Sequence, residues 1–232
     1  MRSKALDTVL IAGATGSTGR EILRLARSRV DTVRALTRSS DAATALQTAG
    51  ADEVFVDDLL APDNLSAALA DVDAVLSAVG TAPTALRSGP PFVDGAGNRT
   101  LVSAAADASV DSFVMESAIG VGPEPSSPLA TAFNAFIGPL QEAKATAESA
   151  IRDAEIRHTI LRPGVLTNGS RTDLVTAAEP GAKLWGTISR ADVARLMLSA
   201  PVTPGAGDRT FEVVSTPRFP SRDARVDWMM PR

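Results

Sequence analysis

Three glycines, in the run Gly13-Ala14-Thr15-Gly16-Ser17-Thr18-Gly19, carry the most informative spacing in this sequence. They follow a short apolar run, Thr8–Ala12, and precede a segment of helical periodicity, Thr18–Arg29, in which Ile22, Leu23, Leu25 and Ala26 are apolar. At a strand-to-helix turn Gly13 permits a tight bend, Gly16 lets the backbone approach a diphosphate, and Gly19 lets the helix pack closely. The first helical turn then offers free N–H groups and a partial positive charge to an anion, with Thr15, Ser17 and Thr18 in the same turn. The alternative is a glycine-rich turn without a ligand; the strand-turn-helix context favours a dinucleotide. The end of the second strand reads Thr37-Arg38-Ser39-Ser40. NAD sites put Asp or Glu there for the ribose 2′-OH, whereas Arg38 can pair with a 2′-phosphate and Ser39 and Ser40 can add hydroxyl donors. The expected cofactor is therefore NADP(H), the alternative being an arginine simply exposed on a loop.

Acid–base chemistry is limited by what is missing. The chain has no cysteine, no tyrosine and one histidine. His158 opens the sixth strand, roughly 15 Å from its carboxyl end at ~3.3 Å per residue, and is expected to be structural or solvated. Ser117 ends the fifth strand on the crevice side and could hydrogen-bond a substrate carbonyl, or merely cap a loop. Glu116 precedes it, so strand alternation sends the two side chains to opposite faces. Glu116 thus faces either a helix or solvent, and a buried carboxyl there could act as an acid. Hydride transfer needs mainly placement, because the cofactor carries the chemistry.

The elements that must position these residues alternate along the chain. Strands are predicted at Thr8–Ala12, Asp31–Thr37, Glu53–Asp57, Asp73–Val79, Asp111–Ser117, Ile156–Leu161 and Arg209–Ser215. Helices are predicted at Thr18–Arg29, Asp41–Ala49, Asp63–Ala70 with Pro62 at its start, Phe92–Ala108, Leu129–Ile137, Pro139–Asp153 after an interruption at Gly138-Pro139, and Ser189–Ser199 with Ser189 as N-cap. Gly80–Pro91 and Ala118–Pro128 read as loops. Regular β-α alternation predicts an α/β, Rossmann-type doubly wound, mainly parallel sheet with helices on both faces. Its ligand crevice lies at the carboxyl ends of the strands, which adds Ala78, Val79 and Gly80 to the cofactor residues. Residues 1–216 form the expected domain, including a small C-terminal substrate-side region. Residues 217–232, with three prolines in the tail from Thr216 on, read as an arm or a partly disordered end.

Composition excludes several classes. A net charge of −4 gives no electrostatic support for nucleic-acid binding. There is no apolar run long enough for a membrane span, and the first residues lack the apolar core of a signal peptide. A cytoplasmic protein, monomeric or homodimeric, acting on a small molecule, is the expectation.

The glycine run resembles the loop of the atypical short-chain dehydrogenases/reductases, in particular the NAD(P)H-binding, NmrA-like group that includes the flavin/biliverdin-IXβ reductases. Asp57-Asp58-Leu59 looks like that group's adenine-contacting acidic turn, which implies Asp58 and Leu59 as cofactor residues. Val93-Asp94-Gly95-Ala96-Gly97-Asn98 resembles the start of its long fourth helix, and Ser112-Phe113-Val114-Met115-Glu116-Ser117 the strand that delivers an active-site serine. Thr159-Ile160-Leu161-Arg162-Pro163-Gly164 is similar to a segment whose backbone lines the nicotinamide, implying contacts from Pro163, Gly164 and Val165. Arg190-Ala191-Asp192-Val193-Ala194 matches a late helix start. The wider superfamily has Tyr-x-x-x-Lys on the helix after strand five; here Leu140 stands at the tyrosine position, four before Lys144. Lys144 either holds the nicotinamide ribose or is a surface lysine beside Glu148. The implied catalytic set is Ser117, Lys144 and Glu116.

These readings favour an NADPH-dependent oxidoreductase transferring hydride to a small conjugated acceptor such as a quinone, flavin, enone or aromatic ketone. A non-catalytic NADP(H) sensor that binds a protein partner, and a non-redox enzyme reusing the fold, stand as alternatives.

Overall fold

The computed structural model describes residues 6–81, 89–122, 128–215 and 224–231. The inner parts of both predicted loops, and tail residues 216–223 and 232, lie outside the described residues.

The first strand shows why the sheet is buried on both sides. Along β1 (Thr8–Ala12) Val9 and Ile11 enter one apolar core, while Leu10 and Ala12 enter another. A strand with two buried faces reads as a continuous apolar run rather than as an alternation. The same holds for β4 (Ala74–Ser77), whose four residues are all buried.

Around them lie β2 (Thr32–Thr37), β3 (Glu53–Val56), β5 (Ser112–Glu116), β6 (Arg157–Pro163), β8 (Thr176–Ala178) and β10 (Arg209–Val214). The spatial order is β3-β2-β1-β4-β5-β6-β10-β8. All neighbours pair in parallel except β8, which runs antiparallel to β10 at the edge. A separate two-stranded parallel sheet joins β7 (Val165–Thr167) to β9 (Thr187–Ser189). The architecture is the expected Rossmann-type doubly wound sheet, with the reversal of strand order between β1 and β4.

Helices cover both faces. α1 (Ser17–Ala26), α2 (Ala43–Ala49) and α6 (Arg190–Ser199) contribute to the core containing Val9. α3 (Leu65–Leu69), α4 (Asn98–Asp107) and α5 (Pro128–Asp153) contribute to the core containing Leu10. Ser189 caps α6 as expected, its hydroxyl oxygen accepting the Asp192 N–H at 3.0 Å.

Two expectations need correction. The predicted break at Gly138-Pro139 is absent, and α5 runs unbroken for 26 residues with Pro139 inside it. Pro139 is exposed, so water can satisfy the helix carbonyl its missing N–H leaves free. Pro62 does not open the third helix, which begins at Leu65. Its leading amides are held by Asp57, whose carboxylate accepts the N–H groups of Asp63 and Asn64 at 2.9 Å. At the other end of the chain, residues 224–231 lie against the core. The Trp228 ring meets Phe211 edge-on at 5.6 Å, and the Met229 N–H donates to Thr203 Oγ1 at 2.9 Å.

Candidate functional site

The carboxyl ends of β1 and β4 flank a cleft of about 560 Å³. The glycine turn contributes Gly13, Thr15, Gly16 and Ser17; the end of β2 contributes Thr37 and Arg38; the turn after β3 contributes Asp57, Asp58 and Leu59. Ala78, Val79, Gly80 and Thr81 follow β4, and Phe92 and Val93 close the cleft from the far side.

The three glycines have different work. Gly13 adopts φ +76°, and a Cβ there would stand 2.4 Å from the Ala78 carbonyl oxygen. Its lack of a side chain lets β1 and β4 stay adjacent as they part. A Cβ on Gly19 would meet the Gly13 carbonyl oxygen at 2.3 Å, so Gly19 lets α1 lie on its own turn. A Cβ on Gly16 would meet nothing closer than 3.2 Å. Packing asks less of Gly16 than of Gly13 or Gly19, since its one tight contact needs only a small backbone shift; what it leaves is bare backbone facing the cleft, a cradle suited to a phosphate.

Arg38 is exposed on the cleft wall, and among the described residues it has no ion-pair partner. Ser39 and Ser40 beside it are exposed, and Ser39 is outside the lining. The carboxylates nearby are engaged in the backbone: Asp57 also accepts the Asp58 N–H at 2.8 Å, and Asp58 accepts the Leu60 N–H at 2.9 Å.

Strand alternation divides the end of β5 as the sequence predicts. Val114 belongs to the α1/α6 core and Met115 to the α5 core, so Glu116 turns toward α1 and Ser117 toward α5. Glu116 is buried and accepts a hydrogen bond from Thr18 Oγ1 at 3.1 Å. Burial pushes its carboxyl above the ordinary Glu range, partly opposed by the charge of Lys144, the Thr18 bond and the charge of Arg190. It lies behind the glycine turn rather than in the cleft.

Ser117 departs from the expected role of donor to a substrate carbonyl. Its hydroxyl donates to Glu148 Oε1 at 2.6 Å. Arg162 holds the same carboxylate with Nε at 2.9 Å and one terminal nitrogen at 2.6 Å, and Arg152 adds a bond at 2.6 Å. Burial would raise Glu148, but the hydrogen bonds and charge of Arg162, the Ser117 bond and the charge of Arg152 together hold it below the ordinary range. An ionised carboxylate only accepts, so the serine proton is committed to it and Ser117 presents only lone pairs elsewhere.

Lys144 is neither at the surface nor paired with Glu148. Its Nζ lies 2.8 Å from Asp94 Oδ1, with side-chain exposures of 11% and 2%. The other Asp94 oxygen accepts the Thr81 N–H at 2.6 Å, so the pair ties α5 to the loop leaving β4 at the cleft rim. Gly95 makes this approach possible: a Cβ there would sit 2.8 Å from the Ala143 carbonyl oxygen. Asp94 and Gly95 occupy a single π-helical turn, Val93–Gly97, that widens the chain before α4. Next to it Asn98, fully buried, accepts the Ser77 hydroxyl at 2.6 Å and donates to the Asp94 carbonyl at 2.8 Å.

Of the proposed cofactor residues, Gly13, Thr15, Gly16, Ser17, Arg38, Asp58, Leu59, Ala78, Val79 and Gly80 come together around the cleft. Thr18, Gly19, Ser39, Lys144, Pro163, Gly164 and Val165 are not among its lining residues. Gly164 allows a close crossing instead, since a Cβ would stand 2.4 Å from the Gly186 carbonyl oxygen. Glu148, Arg162 and Asp94 were not singled out from sequence. A charged Arg162 at the end of a buried strand was the available signal, because such a charge needs a partner. His158 lies at the amino end of β6, its Nδ1 3.3 Å from the Ile156 carbonyl oxygen and 3.4 Å from Asp208 Oδ1. The described residues contain no cluster of three metal-ligating side chains, and no helix long and apolar enough to cross a membrane.

Residues 13–204 match the family model described as NAD(P)H-binding. The uncharacterized sugar epimerase YhfK of Bacillus subtilis is 28% identical over 206 residues, covering 88% of this chain and 92% of its own. ChuY, an anaerobilin reductase from Escherichia coli O157:H7, superposes with a TM-score of 0.74 at 25% identity, covering 90% of this chain and 97% of its own. A short-chain dehydrogenase/reductase from Veillonella parvula, solved in complex with NADP, shares the fold with a TM-score of 0.72 at 16% identity, over 94% of this chain and 99% of its own.

Proposed function

The chain belongs to the NAD(P)H-binding family, and on that premise we propose that it is an NADPH-dependent oxidoreductase that passes hydride to a small conjugated acceptor without a catalytic tyrosine. The observation that carries the cofactor choice is Arg38, a cation without an ion-pair partner among the described residues, on the cleft wall where an NAD site would hold a carboxylate. NADPH bound there supplies the hydride. The Gly13–Gly19 turn holds the diphosphate on backbone N–H groups, Arg38 holds the 2′-phosphate, and Asp58 and Leu59 flank the adenine. Lys144, steadied by Asp94, fixes the rim of the cleft through Thr81.

The acceptor class follows from the proton. Reducing a simple ketone creates an alkoxide that needs a proton at once. Leu140 stands where a tyrosine would give one, the Ser117 proton is held by Glu148, and Glu116 is turned toward α1. A quinone, flavin or enone spreads the charge, and its reduced anion takes a proton from water, whereas the aromatic ketone also considered would leave a localised alkoxide. The likeness to a protein described as an anaerobilin reductase supports reading this chain as a reductase.

Steady-state NADPH oxidation tests this reading. Quinones and flavins are expected to turn over faster than aliphatic ketones, with His158→Gln leaving the rate nearly unchanged. Efficient reduction of aliphatic ketones would overturn it. The same committed Ser117 proton also suits a non-catalytic NADP(H) sensor, which would bind NADP⁺ and NADPH equally and turn over nothing.

A further inference from the structure

The end of α1 that meets the cleft has no cap. Gly16 stands at its N-cap position and offers the leading amides no side-chain acceptor, and its first turn holds no acidic residue. Gly16 and Ser17 line the cleft, so the free N–H groups and partial positive charge of that turn face the space assigned above to the diphosphate. A carboxyl reaches the same turn from behind. Glu116, buried at the end of β5, accepts the Thr18 hydroxyl at 3.1 Å, and covalent geometry keeps the Thr18 N–H within about 4 Å of that hydroxyl. The charges that face Glu116 come from three other elements: Lys144 on α5, Arg190 at the start of α6 and Asp94 in the π-helical turn. Lys144 is tied to Asp94 at 2.8 Å, and Arg190 bonds the neutral side chain of Asn168 at 2.7 Å. Burial outweighs these attractions and holds the carboxyl above the ordinary Glu range.

One helix end therefore serves two anions, the chain's own behind it and a ligand's in front. We propose that Glu116 and a bound diphosphate compete for the end of α1, so that nucleotide binding takes up a proton at Glu116 and ionised Glu116 weakens the nucleotide. This rests on placing the nucleotide at the glycine turn. The proton passes from solvent to the Glu116 carboxylate; no bond of the nucleotide changes, and the neutral carboxyl still accepts the Thr18 bond at its carbonyl oxygen. Glu116 touches neither nucleotide nor acceptor, and is a positioning residue acting through the turn. Like charges brought within about 10 Å in a partly buried setting disfavour one another, and the coupling is reciprocal. Affinity is expected to be full below the carboxyl's pKa in the free protein. It should fall about tenfold, to a lower plateau, above the higher pKa of the complex.

The test titrates NADP⁺, which is stable in acid, into wild type and Glu116→Gln by calorimetry between about pH 5 and 9, the span over which buried glutamates ionise. Each pH is run in two buffers of unlike ionisation enthalpy, which counts the protons exchanged. At its maximum the wild type should take up about half a proton more than the variant, as a tenfold linkage requires. Glu116→Gln should hold the wild type's acid affinity throughout, and it subtracts whatever proton the 2′-phosphate exchanges. Adenosine 2′-monophosphate, which has no diphosphate, gives a second reading without any substitution: on wild type the extra uptake should vanish. Equal proton counts and parallel affinity profiles for the two proteins would overturn the inference and leave the nucleotide site in place. The same extra uptake with adenosine 2′-monophosphate would also overturn it, since the diphosphate would not be the cause. Absence of any nucleotide binding would instead overturn the placement at the glycine turn, and the inference with it.

Discussion

Arg38 concentrates the choice of cofactor in one side chain. If it pairs with a 2′-phosphate, NADPH should bind about ten- to a hundredfold more tightly than NADH, the range expected for a charge-assisted bond of roughly 1.5–3 kcal/mol. Arg38→Ala should erase most of that gap while leaving NADH affinity alone, and isothermal titration with both nucleotides measures it. Two buried glutamates make a second residue-scale prediction, with opposite signs. Glu148 has a folded pKa below its unfolded one, so the stability it adds is present above the unfolded value and is lost as pH falls through the folded value. Glu116 has a folded pKa above its unfolded one, so its contribution is full below the unfolded value and is lost as pH rises through the folded value. Glu116→Gln keeps an oxygen for Thr18 and removes the buried charge. It should unfold like wild type in acid and become more stable than wild type as pH rises toward neutral. A urea-unfolding difference that does not change with pH would refute this. Glu148→Gln should do the reverse, costing about 3–5 kcal/mol near neutrality because Arg162 is left buried without its counter-charge.

At the scale of elements, the glycines separate folding from binding. Gly16→Val should abolish nucleotide binding in a protein that still melts cooperatively, because the new side chain projects where a phosphate would rest. Gly95→Val should instead lower the melting temperature, since its Cβ would stand 2.8 Å from the Ala143 carbonyl oxygen and wedge α5 away from Asp94. Differential scanning fluorimetry with and without NADPH distinguishes the two losses. The same elements show what could be read from sequence and why. β1, β2, β4 and β5 were found within two residues at each end because each is a short apolar run closed by a turn. α5 was divided in two because Pro139 carries a strong local signal, and only its exposure in the folded chain makes that signal harmless. β7, β8 and β9 have three residues each, too few for any period to emerge. Within the site, the glycine turn was legible because its chemistry is local in sequence. The Ser117–Glu148–Arg162 and Asp94–Lys144 clusters join residues 14 to 50 positions apart, and only the packing of α5 on the sheet brings them together.

For the whole molecule, the sheet order is what converts a list of turns into a cleft, by sending the connections after β1 and β4 to opposite faces. The C-terminal residues then seal the far flank of the same body. Phe211 is fully buried and Trp228 covers it edge-on, while Ser199 Oγ, at the end of α6, lies 3.0 Å from Met230 Sδ in the tail. Trp228→Ala should cost about 2 kcal/mol, below the roughly 3–5 kcal/mol for truncating a fully buried aromatic because the ring is only half-buried. The loss should appear in thermal unfolding and leave NADPH affinity intact, since the cleft is lined from the other end of the chain.

Every described residue that lines the cleft falls between Gly13 and Val93, whereas the Ser117–Glu148–Arg162 cluster comes later. On the proposed reading, what holds the nucleotide and what the chain adds at the end of β5 are written in successive stretches. A lineage could revise the second text while inheriting the first unchanged, so that relatives with one shared cofactor grip come to serve different substrates. A chimaera joining the first 93 residues of this chain to the remainder of a relative would carry that history out in a single step, keeping this protein's nucleotide preference while taking on the other's acceptor.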